Sequence, residues 1–160
     1  MEKIVLWPGI KNLYRPYKKS GNLVVPINPD WYQSISKQIV KTKTNSIIFG
    51  FSYGAILAYL TARKYKCNKI ILGSIAPIHI FSLQSLIKEN LEHMSKELAI
   101  AQAEDIKNIK ISLDKLDCPY ITLAGELEPP IMKNNVNFII PKANHYLSKN
   151  YIDGICKIID

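Results

Sequence analysis

The run Ile47-Ile48-Phe49-Gly50-Phe51-Ser52-Tyr53-Gly54-Ala55 limits the possible folds more than any other part of the chain. Four strand-forming residues lead into a Gly-x-Ser-x-Gly turn. Ala55, Ile56, Tyr59, Leu60 and Ala62 then recur at helical spacing. A strand that turns this sharply into a helix brings the two backbones almost into contact. Glycines two residues either side of the serine relieve that crowding. The serine backbone is strained and its hydroxyl stands above the end of a sheet, which makes Ser52 a candidate nucleophile. With seven Gly and eleven Ser in the chain, chance supplies roughly 0.02 such pentapeptides. The bland alternative is a Gly-flanked serine in an ordinary strand-to-helix connection.

The rest of the chain suits that reading. Strand-like runs fall at Lys3–Trp7, Asn22–Ile27, Ser46–Gly50, Lys69–Leu72, Tyr120–Ala124 and Val136–Ile140. Most are continuous Ile, Val, Leu and Phe and not alternating, as in strands buried on both faces of a parallel sheet. Between them, the spacing predicts a helix from Asp30 to Lys43, with Trp31, Ile35 and Ile39 on one face. It predicts a second from Ser52 to Tyr65 and a last one over Leu147–Ile159. The expected architecture is α/β, a mostly parallel six-stranded sheet with helices on both faces, built as one domain over residues 1–160.

The connection between the fourth and fifth strands, residues 73–118, exceeds what a simple crossover needs. Leu83, Ile87, Leu91, Met94 and Leu98 predict one amphipathic helix; Ile106, Ile109, Leu113 and Leu116 predict another. The second suits a crossover helix. The first is a helical insertion, either a lid over 76–103 that excludes water or a helix packed on the sheet flank.

Bulk properties narrow the function classes. At 160 residues and 48% hydrophobic, the chain can bury a substantial core and is not a disordered type. No run is long enough for a signal peptide or membrane span. Cys67, Cys118 and Cys156 lack metal spacing and read as reduced thiols of a cytoplasmic protein; His79, His93 and His145 are equally scattered, so no metal or other cofactor is expected. Residues 1–80 carry 12 Lys/Arg against two acids, while residues 81–160 carry nine against 11. A basic half of this kind attracts acidic partners, although 19 Lys and 26 Ile also fit a bias of composition. No aromatic-basic interleaving supports nucleic acid.

A serine hydroxyl needs a base, normally a histidine oriented by a carboxylate, and both follow the serine at later strand ends. Two segments supply them: Pro119-Tyr-Ile-Thr-Leu-Ala-Gly125-Glu126-Leu127-Glu128-Pro129-Pro130, and Phe138-Ile-Ile-Pro-Lys-Ala-Asn-His145-Tyr146-Leu147. In this order the chain resembles the α/β-hydrolase superfamily over nearly its whole length, and the Ser52 turn matches that family's nucleophile elbow. The resemblance implies a strand-Gly-x-x-acid pattern ending at Glu128, and a histidine loop at Asn144-His145. The family usually carries Asp, so Glu128 is a longer stand-in and Glu126 competes with it. Only seven residues separate Glu128 from Val136, little room for a full crossover helix. The resemblance further implies an oxyanion hole made by the backbone N–H groups of Tyr53 and Ile10, the latter turned by Pro8-Gly9. Phe51 and Tyr146 are candidate walls of a substrate pocket.

The expected activity is that of a serine hydrolase, a carboxylesterase or thioesterase working through an acyl-enzyme without a cofactor. An acidic acyl-carrier protein is a candidate partner, since it would answer the basic half. The alternative is a non-catalytic module that keeps the fold and binds a small anionic or acyl ligand at the Gly50–Gly54 turn. Against it, the chain contains no phosphate-loop or dinucleotide glycine pattern.

Overall fold

A computed structural model describes residues 3–7, 17–19, 22–30 and 33–159. They form a seven-stranded sheet in the order β2-β3-β1-β4-β5-β6-β7. The strands are β1 (Lys3–Trp7), β2 (Tyr17–Lys19), β3 (Asn22–Pro26), β4 (Ile47–Phe51), β5 (Lys69–Gly73), β6 (Tyr120–Gly125) and β7 (Phe138–Ile140). Six run parallel, at the places where the continuous apolar runs put them. The seventh, β2, pairs antiparallel with β3 at the edge. Tyr-Lys-Lys is too short and polar to read as a strand, and charge of this kind suits an edge.

Each central strand feeds two layers. Ile48, Ile70 and Leu72 face one core with Ala55, Ile56 and Tyr59 of α1 (Tyr53–Lys64). Ile47, Phe49, Phe51 and Ile71 face the other, closed by Tyr151 and Ile155 of α5 (Lys149–Ile159). Because both faces are covered, the strands have no polar side to alternate with, which is why they read as unbroken apolar runs.

Three expected helices differ. From Asp30 to Lys43 there is only a 3₁₀ turn at Ile35–Gln38 within the described residues. Asp30 accepts from the side-chain amide of Gln33 there, and no long helix starts. Ile39, Val40, Thr42 and Thr44 are β-branched, and Ile35 anchors the segment by full burial. Trp31 lies outside the described residues.

The helix drawn from Leu83 to Leu98 is two, α2 (Leu83–Leu91) and α3 (Lys96–Lys107). Ser95 ends the run by capping α3, its hydroxyl accepting from the Leu98 N–H. The helix drawn through Ile106–Leu116 is absent beyond Lys107 apart from a 3₁₀ turn at Leu113–Lys115. Its apolar residues do pack as a set, with Ile109, Leu113 and Leu116 against the α1-side core. They do so from largely extended chain, pinned where the Tyr59 hydroxyl donates to the Ser112 carbonyl and accepts from the Ser112 N–H. An apolar cavity of about 690 Å³ lies alongside, lined by Leu72, Ile75, Ile78, Ile111, Leu113 and Met132 among others.

Between Glu128 and β7 the chain makes one helical turn, α4 (Pro130–Lys133), which fits the short spacing. Cys67 and Cys118, just ahead of β5 and β6, bring their thiols to 3.2 Å, and burial pushes the Cys67 thiol up to about 12 with the Cys118 contact adding to it. No helix among the described residues is long and apolar enough to cross a membrane. None of those residues group as a metal site either.

Candidate active site

Strand register brings the carboxyl-terminal ends of five strands to one edge, since Trp7 pairs with Gly50, Phe51 with Gly73, Gly73 with Leu123, and Gly125 with Ile140. Ser52 follows β4 with φ 55° and ψ −123°, a region that side chains seldom occupy. Its N–H donates to the Gly73 carbonyl at 2.9 Å, and its carbonyl accepts from Ala55. The corner demands glycine at position 50. A Cβ there would stand 2.4 Å from the Gly54 carbonyl oxygen and 2.6 Å from Ala55 Cα. The Ser52 hydroxyl does not cap α1. It points instead to His145 Nε2, at 3.0 Å.

His145 Nδ1 in turn lies 3.0 Å from Glu128 Oε1. The carboxylate is fully buried, whereas the imidazole is 43% exposed and Ser52 9%. The three groups therefore form one chain of hydrogen bonds, buried at Glu128 and most exposed at His145. Glu126 stands apart from it: its side chain is exposed and accepts from the Lys142 N–H at 2.8 Å. Of the two acids, Glu128 is the one against His145.

The acid loop and the histidine loop are stitched together. Leu127 N–H donates to the Ala143 carbonyl and Glu126 N–H to that of Ile140. Gly125 is needed at this crossing, because a Cβ would lie 2.4 Å from the Ala143 oxygen. Phe51 is only 1% exposed and lies in the core, its ring 5.3 Å from that of His145 and edge-on to Tyr151 at 4.9 Å. It supports the histidine from behind instead of lining an open pocket. Tyr146 is 68% exposed beside His145.

Tyr53 opens α1, and its hydroxyl donates to Glu89 of α2 at 3.2 Å. Burial first, then the Glu89 charge and hydrogen bond, push this phenol far above its ordinary range. Ile10, with Pro8 and Gly9, lies outside the described residues.

Behind the acid stand a further partner, Ser74, and Tyr151 bonded to it in turn. Ser74, directly after β5 and fully buried, donates to Glu128 Oε1 at 2.6 Å, and its oxygen lies 2.6 Å from the Tyr151 hydroxyl. The only sequence signal is that Ser74 follows Gly73 at a strand end, as Ser52 follows β4. Tyr151 sits in the apolar stripe of α5 and looks like core.

This arrangement of sheet, elbow and helices is the α/β-hydrolase fold. Solved structures match it across almost the whole chain. MGS-MChE2, an α/β hydrolase enzyme from a sediment metagenome of the Mar Chica lagoon in Morocco, superposes with TM-score 0.66 at 17% identity, over 99% of this chain and 88% of its own. The RedJ thioesterase of the prodiginine pathway in Streptomyces coelicolor gives 0.59 at 14%, over 99% and 89%. Human thioesterase 2 gives 0.55 at 14%, over 98% and 96%. No family model matches the chain, and no curated protein does.

Proposed function

We propose that this protein is a serine hydrolase that cleaves a carboxylic ester or thioester through an acyl-enzyme on Ser52. The observation that carries the reading is the unbroken Ser52–His145–Glu128 hydrogen-bond chain ending on a serine with positive φ. With Nδ1–H donated to Glu128, the Nε2 lone pair faces the Ser52 hydroxyl and takes its proton as the oxygen attacks the carbonyl carbon. The C–O bond that forms makes a tetrahedral oxyanion, which the Tyr53 N–H at the start of α1 and the Ile10 N–H are proposed to receive. His145 then protonates the leaving alcohol or thiol, and water repeats the sequence to release the acid. Glu128, being buried and charged, favours the imidazolium that forms between these steps.

The likeness to proteins named thioesterases supports the substrate class, and the basic residues 1–80 support an acyl group presented by an acidic carrier protein. Helix α2, joined to the elbow through Tyr53 and Glu89, is proposed as the cover that the insertion places beside the site. A purely binding role leaves the strained serine and its histidine without a use. No cofactor enters the proposed chemistry, and the three thiols support a cytoplasmic setting.

One experiment tests these points together. The protein and its Ser52→Ala variant are treated with a fluorophosphonate probe, then assayed on a short p-nitrophenyl ester and on a carrier-linked thioester at low and high salt. Labelling confined to the unaltered serine, a loss of at least about 10³-fold in the variant, and salt-sensitive turnover of the carrier substrate alone are expected. An unlabelled protein would end the hydrolase reading. Salt-insensitive turnover of both substrates would end the carrier part alone.

A further inference from the structure

We propose that Ser74 is a positioning residue for Glu128, itself held by Tyr151, so that a buried Tyr151–Ser74–Glu128 relay aims the carboxylate at His145. This rests on the serine-hydrolase reading above.

The proton count sets the direction of the relay. Glu128 as a carboxylate only accepts, and Ser74 has one proton, which goes to Oε1 at 2.6 Å. The Ser74 oxygen must therefore accept from Tyr151 at 2.6 Å. The alternative acceptor of Tyr151, the Leu123 carbonyl, is farther away at 3.4 Å. Burial holds the Tyr151 phenol far above its ordinary range, so it remains a donor at any working pH.

Glu128 needs such help. Its Oε2 is buried without a hydrogen-bond partner among the described residues, so Oε1 takes both His145 and Ser74. An unpaired buried charge is costly, and Ser74 is a strong, short compensation for it. Glu also has one more rotatable bond than the Asp usual at this place in the fold family, and a second anchor removes that freedom. Ser74 is fully buried, which excludes it as a second nucleophile.

The backbone supplies an independent sign. Ser74 has φ 46°, a conformation that glycine adopts without strain and serine does not. A hydroxyl kept there against that strain implies a use for it. Ser74→Gly thus separates the two effects, because it relaxes the backbone while it deletes the CH2OH side chain, so a loss of activity cannot come from added strain.

The test compares Ser74→Gly and Tyr151→Phe with the unaltered protein. With a p-nitrophenyl ester, Ser74→Gly should lower kcat on the order of 10- to 100-fold while KM stays within about twofold. Tyr151→Phe should lower kcat by about 2- to 5-fold, also at constant KM. The rate of fluorophosphonate labelling should fall in the same order. If the unaltered protein is not labelled, the serine-hydrolase reading has failed. If it is labelled and Ser74→Gly reacts at the same rate, only the positioning role is overturned. Should Ser74→Gly not fold, Tyr151→Phe decides alone: a lower kcat at constant KM supports the relay and an unchanged kcat overturns it.

Discussion

The corner between β4 and α1 and the insertion between β5 and β6 obey different rules, although they touch at Tyr53 and Glu89. The corner is built from backbone: Gly50 against Gly54 and Ala55, Ser52 at positive φ, and the Ser52 N–H on Gly73. The insertion is built from side chains that join the α1-side core. Leu86, Ala103 and Ile106 are buried there, and Ile109, Leu113 and Leu116 pack alongside from two helices, extended chain and a 3₁₀ turn. A backbone corner admits one answer per residue. A packed insertion needs only apolar residues near enough to reach.

The hardest way to break that contrast is to add one carbon at the corner and to remove several from the insertion. Gly50→Ala puts a methyl group 2.4 Å from one backbone atom and 2.6 Å from another, neither of which a rotamer change can move. The expected cost is about 3–5 kcal/mol, with the melting temperature down by about 10 °C or more and activity lost with the corner. Removing carbons from the insertion should do less: Ile109→Ala, only partly buried, should cost about 1–2 kcal/mol. Thermal unfolding of the two variants measures both. Equal losses would mean that the corner is no more demanding than ordinary packing.

The next effect separates the two carboxylates that stand two residues apart. Glu128→Gln keeps the shape but removes the charge facing His145, and should lower kcat on the order of 10³-fold. Glu126→Gln keeps an acceptor for the Lys142 N–H and should leave kcat within about twofold. The same ester assay reads both. Equal losses would assign neither acid, and a larger loss in Glu126→Gln would move the role to the other carboxylate.

The same division explains what was legible. The central parallel strands showed because they are buried on both faces, so Ile47, Ile48, Ile70 and Ile71 left unbroken apolar runs. The elbow showed because its glycines answer a local backbone need, and His145 and Glu128 because they follow the last two strands. Edge strand β2 did not show, since three polar residues carry no pattern apart from their partner β3. The helix drawn through Ile109 and Leu116 failed for a related reason: apolar spacing records which residues reach the core, not the backbone that delivers them. Ser74 and Tyr151 were hidden because their meeting across 77 positions depends on β5 lying over α5. Nothing near either residue in the chain points to the other.

The smallest effect lies where the two regions join. Glu89→Gln weakens the contact with the Tyr53 hydroxyl and should cost about 1 kcal/mol near neutral pH. The Tyr53 phenol is held above its ordinary range, first by burial and then by Glu89. In the unfolded chain Tyr53 ionises near 10, while in the folded protein it keeps its proton. Its contribution is therefore complete below about pH 10 and is lost as the pH rises toward the folded value, because the unfolded state releases the proton first. Removing the Glu89 charge lowers the folded value and shortens that loss. Between about pH 10 and the variant's own folded value both proteins keep the Tyr53 proton and lose stability in parallel, so the gap should hold there and narrow only at higher pH, where the variant's phenol ionises first, as read by urea unfolding at stepped pH. No gap at neutral pH would mean that Glu89 does not act on Tyr53, and that α2 rests beside the elbow without being tied to it.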